Sequence, residues 1–112
     1  EREEEERRRH EAEARRRREE DERRRLEQVA AQEVTRVVNA LRSSTAKTFE
    51  GLVAELEKVQ ARNLDAMGPL AEKVSREAQD ALQQTQRRLD DERRKAEEDE
   101  RRRAAEERRR RE

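Results

Sequence analysis

The sequence predicts an all-α chain drawn out as a long extended helix, and three observations carry that expectation. Charged side chains fill 54% of the 112 positions, as 30 basic and 30 acidic residues. The apolar residues in the centre recur at a helical period. The strongest breakers number only two Gly and one Pro. Apolar residues reach 29%, with Phe49 the one aromatic, against about 45–50% in an ordinary layered domain. A compact multilayer core is therefore excluded. Zero net charge departs from the usual disorder signature, which joins low hydrophobicity to high net charge. It also removes the excess of cations that nucleic-acid binding draws on, so no nucleic-acid partner is expected.

The first zone, residues 1–25, holds 11 acidic residues and 11 Arg, with Ala12 and Ala14 its only apolar positions. The last zone, residues 86–112, returns to Arg/Glu blocks, with Leu89, Ala96, Ala104 and Ala105 as its apolar positions. Blocks of three or four set unlike charges four residues apart, on one helical face. Glu3–Arg7, Glu4–Arg8, Glu5–Arg9, Glu19–Arg23, Glu20–Arg24, Asp21–Arg25, Glu97–Arg101, Glu98–Arg102 and Glu107–Arg111 all run acid first, the better orientation. Each such pair contributes roughly 0.2–0.5 kcal/mol to an isolated helix, and Arg, Glu and Ala are strong helix formers. Both ends are expected to be self-supporting helices. In composition they resemble the Arg/Glu-rich single-α-helix segments of some myosins and of caldesmon, a resemblance that covers about half the chain and implies an extended rod.

The central zone, residues 26–85, carries an amphipathic stripe that extends to Leu89. Ala30, Val34, Val37, Leu41, Thr45, Thr48, Leu52, Leu56, Val59, Asn63, Met67, Leu70, Val74, Ala78, Ala81, Thr85 and Leu89 follow one another at spacings of 4, 3 and 4 without a break. Eleven residues in three turns give a nearly straight stripe, where a heptad would give a left-handed supercoil. Val38, Phe49, Val53, Leu64, Ala71 and Leu82 sit one residue on and widen it. Gly68-Pro69 interrupts the helix, because Pro removes a backbone donor and restricts the residue before it. The unbroken phase favours a kinked continuous helix there; an antiparallel helical hairpin is the alternative. Ser43-Ser44-Thr45 and Thr48 mark a softer stretch, because Ser and Thr offer the backbone competing hydrogen bonds.

Chemistry finds little to build on. The carboxylate pairs lie beside Arg in solvated stripes, so nothing supplies the burial that general acid–base work needs. His10 is the one histidine and Cys is absent, so no metal site is expected. Ser43, Ser44, Thr45 and Thr48 have no histidine to activate them, and phosphorylation of Ser43 or Ser44, beside Arg42, is the one modification to weigh. No catalytic residue and no cofactor is expected, and the chain is read as a non-enzyme.

The expected interface is the stripe itself: Val34, Val37, Leu41, Phe49, Leu52, Leu56, Val59, Asn63, Met67, Leu70, Val74, Leu82 and Leu89. Asn63 either fixes register, as a polar core residue does, or sits at the stripe's edge against water. Met67 reads as gap-filling core, and Phe49 as a stripe residue or an anchor. The expected function is a scaffold or spacer that pairs with a second copy or a partner helix. A lipid surface is the weaker alternative, since the centre holds seven basic against nine acidic residues and no Trp; docking along a cytoskeletal filament is another. A chain that starts at Glu1 reads as an excerpt of a longer protein, and the lack of Cys suits the reducing cytoplasm.

Overall fold

In the computed structural model, which describes all 112 residues, the chain is all-α and elongated. Its helices are α1 (Arg2–Arg42), α2 (Phe49–Met67) and α3 (Ala71–Arg111), with a 3₁₀ turn at Gly68–Leu70 between the last two. The principal extents are 105 × 19 × 15 Å. An unbroken helix of this length would span about 170 Å, so part of the chain is folded back on itself.

Cross-helix contacts fix the path. Arg62 on α2 pairs with Glu33 on α1, and Gly68 lies against the Glu27 side chain, so α1 and α2 run antiparallel through a turn at 43–48. On α3, Arg88 reaches back to the carbonyls of Arg42 and Ser44, so α3 runs parallel to α1. The middle of the molecule is thus a short three-helix bundle. α1 overhangs it at one end and α3 at the other. At 1.5 Å per residue the overhangs are about 35 Å each.

The sequence left two shapes open at Gly68-Pro69, and the chain takes the reversal. Gly68 adopts φ 53°, ψ −126°, a region that side chains with a Cβ avoid. Its neighbours Met67, Leu70 and Ala71 all keep right-handed helical angles. One left-handed residue therefore turns the chain, and Pro69 follows it where no helix continues. The eleven-residue spacing nonetheless runs through the turn, with Met67 buried before it and Leu70 and Val74 packed on the core after it. Unbroken phase was thus compatible with a hairpin. The second reversal falls in the softer stretch, where the sequence reading required no break.

The stripe forms the core. Ala30, Ala31, Val34, Val37, Val38, Leu41, Leu56, Val59, Met67, Val74, Ala78 and Ala81 are buried together, with Phe49, Leu52, Val53, Leu70, Ala71 and Leu82 packed around them. α1 lies closest to both other helices. The adjacent columns at 30/31 and 37/38 give it the breadth to meet two partners, and its alanines let backbones approach. No helix is long and apolar enough to cross a membrane.

Candidate functional site: the buried stripe and its two turns

Twelve apolar side chains and three polar ones are buried, and the residues singled out as an interface fall mostly among them. Val34, Leu41, Leu56 and Met67 are within 1% of complete burial, and Val37, Val59, Asn63 and Val74 are also inside. Phe49, Leu52, Leu70, Leu82 and Leu89 are half-buried. They meet one another within a single chain. Thr45 and Thr48, two successive polar stripe members, are exposed because they form the first turn. Leu64, one of the widening positions, stays 57% exposed.

Phe49 sits at the first turn of α2, where Ala46, Glu50, Gln86, Leu89, Asp90 and Arg93 join it around a shallow groove between the 43–48 turn and α3. Met67 closes the other end of the core, next to the Gly68 reversal.

Asn63 is buried, and its Nδ2 donates to the Val59 carbonyl at 2.9 Å. It stands next to the Arg62–Glu33 pair that joins α2 to α1. Hydrogen bonding from Arg62, then from Asn63, holds the Glu33 carboxyl below its ordinary value. Because the Asn63 amide is satisfied within α2, what ties α2 to α1 at this level is the Arg62–Glu33 pair, which slippage by one turn would break.

The 43–48 turn is held by polar groups. Ser44 is buried, and its Oγ donates to the Leu41 carbonyl at 2.6 Å. Thr48 Oγ1 accepts the Thr45 N–H at 3.0 Å. From α3, one Arg88 nitrogen donates to the Arg42 carbonyl at 3.1 Å and the Ser44 carbonyl at 2.6 Å. Its other terminal nitrogen meets Glu92 at 3.2 Å. Arg42 in turn donates to Gln84 at 2.9 Å. A cation at a helix C-terminus satisfies carbonyls that lack intrahelical partners, so Arg88 caps α1 from another helix. Sequence reading missed Arg88 and Ala31, and it named Ser44 as a softening and phosphorylatable residue where the structure buries it. Two consecutive Thr in a mostly apolar stripe were the available sign of the turn, but the reach of Arg88 depends on both reversals at once.

The end zones carry fewer acid-first pairs than their sequence offers. Glu20–Arg24 closes at 2.7 Å, and the other same-face pairs named above do not close. Asp90–Arg93, Asp91–Arg94 and Asp99–Arg102 form three apart instead, the spacing a shorter Asp side chain reaches. Exposed ion pairs gain little over hydration, so no single geometry is enforced. His10 lies on the exposed overhang of α1, and no group of His, Cys, Asp and Glu is arranged to hold a metal ion. Comparison with family models, curated proteins and solved structures finds no match to this chain.

Proposed function

We propose that this chain is a structural spacer, a rod with a bundled middle whose two helical ends lead away in opposite directions and set the distance between whatever they join. The observation that carries this reading is the 105 Å extent, reached with α1 and α3 leaving opposite ends of the bundle. Self-supporting Arg/Glu helices suit such a role, because they keep direction without needing a partner along their length. The reading includes association with a second copy or a partner helix, which reaches the stripe residues only when the helices of one chain part or exchange, in a cytoplasmic setting. A lipid surface has less to recommend it, since the apolar face it would need is turned inward.

The test places a small folded protein at each end of the full chain and measures their separation by small-angle X-ray scattering. A spacer holds the two at one narrow separation of roughly 100 Å, from 1.5 Å per helical residue in the overhangs plus the bundle. A broad distribution centred at short distance, as a flexible linker gives, would overturn it.

A further inference from the structure

The two reversals are built differently. At 68–70 the path depends on a residue at φ 53° followed by Pro69, and the Gly68 Cα faces the Glu27 carboxylate so closely that an added Cβ would stand 3.0 Å from it. That reversal is conformationally locked. The 43–48 turn has no Gly, no Pro and no positive φ. Ser43 sits at φ −97°, ψ 7° and Thr48 at φ −101°, ψ −12°, both near the helical basin. Ser43 and Ser44 still donate their N–H groups to Ala40 and Leu41, and Thr48, Phe49 and Leu52 continue the pattern onto Thr45 and Thr48. Residues 43 and 46–48 are turns and Ser44–Thr45 has no regular structure, and the side-chain bonds that hold the stretch come from Ser44, Thr48 and Arg88.

We propose that Ser43–Thr48 is a hinge through which two copies of this chain exchange α1, giving a swapped dimer. Straightening the hinge merges α1 and α2 into one helix from Arg2 to Met67, about 100 Å long. The stripe is already in phase for this: Leu41, Thr45, Thr48 and Leu52 follow at the same 4, 3, 4 spacings as the rest. Two such helices cross antiparallel about a twofold axis at the hinge. Each α1 then lies on the other chain's α2 and α3, so Glu33 of one copy meets Arg62 of the other and every core contact is remade. Exchange of identical elements is a low-cost route to a dimer. Thr45 and Thr48, solvent-exposed in the closed chain, come together around the twofold. The two forms differ at the hinge and along residues 89–111 of α3, which lead past the hinge and in the dimer lie alongside the partner copy's bundle. The closed form keeps the Arg88 cap on the Arg42 and Ser44 carbonyls, and the open form gains the missing helical hydrogen bonds across the hinge. This rests on reading the chain as a rod that associates with a second copy, and a strictly monomeric chain would sink the exchange while leaving the spacer reading standing.

The experiment uses the full chain, which has no native Cys, with Glu33→Cys and Arg62→Cys bridged by a short bis-maleimide. It is run in the parent and with Thr45→Ala plus Arg88→Ala, a change that favours the straight hinge and removes the cap. Light scattering gives the mass before bridging, and a denaturing gel gives it after. Exchange predicts that the double variant dimerises at least about tenfold more readily than the parent, and that its bridges join two chains. Thr45→Gly, which disfavours a helical hinge, should shift the balance back to one chain. A dimer whose bridges stay within each chain would overturn the proposal by showing another interface. So would a single-chain mass at every concentration up to millimolar in a double variant that keeps its helical circular dichroism. If that variant loses its fold, Thr45→Ala alone with Arg88 intact reads the same mass and bridges, with the same results expected and excluded.

Discussion

Gly68 concentrates the largest backbone demand of the chain in one residue. Its φ of 53° is open to glycine without cost, whereas a Cβ there would be strained and would press on Glu27. Gly68→Ala should therefore lower stability by about 1–3 kcal/mol, read as a loss in thermal midpoint by circular dichroism; an unchanged midpoint would contradict the left-handed turn. Gly51, with open space around it on α2, should instead accept Ala with a small gain, since Ala is the better helix former. Glu33 gives a pH signature. Its carboxyl is held below the ordinary value mainly by Arg62, so it contributes stability that is present above the ordinary carboxylate range and lost as pH falls through the depressed value. Parent and Glu33→Gln should differ in urea midpoint at neutral pH, and the difference should close on acidification. A constant difference across that range would show that the charge on Glu33 is not what binds α1 to α2.

At the scale of elements, the three helices divide into buried and solvated lengths, and substitutions should follow that division. Leu56 is 1% exposed on α2, so Leu56→Ala should cost about 2–5 kcal/mol in chemical unfolding. Leu64, eight residues on and 57% exposed, should cost less than about 0.5 kcal/mol on the same change. Equal costs would mean that the bundle is packed on a different face. The overhang of α3 should hold its own shape: a peptide of residues 86–112 should be helical in dilute buffer and lose helicity as salt rises, because its ion pairs are exposed and screened. A random-coil spectrum at low salt would contradict that. Most of this was legible in the sequence. The 4, 3, 4 spacing picked out Val34, Leu41, Leu56 and Met67 as one face, and the charge blocks marked both solvated ends. The turn at 43–48 was not legible as a reversal, because Ser and Thr only weaken a helix, and weakening decides nothing until tertiary packing chooses. Gly68-Pro69 was legible as an interruption, but a reversal that keeps helical phase on both sides cannot be told from a kink by spacing alone.

At the scale of the molecule, the two reversals shorten a helix of about 170 Å to 105 Å while leaving its ends pointing apart. An even number of reversals restores the original direction, which is why α1 and α3 are parallel and why a bundle can sit within a rod without folding it in half. A single reversal at Gly68-Pro69 would instead leave α1 and α2 as one long arm with α3 lying back along it. The most direct test is a pulsed spin-label distance between Arg25 and Lys73, both exposed, at a concentration where light scattering gives the mass of one chain. With both reversals the two positions lie on neighbouring helices near the same end of the bundle, about 15–25 Å apart, from helix spacings of 8–10 Å plus the label arms. A measured distance near 60 Å, as one reversal gives, or near 70 Å, as an unbroken rod gives at 1.5 Å per residue, would contradict the three-helix bundle.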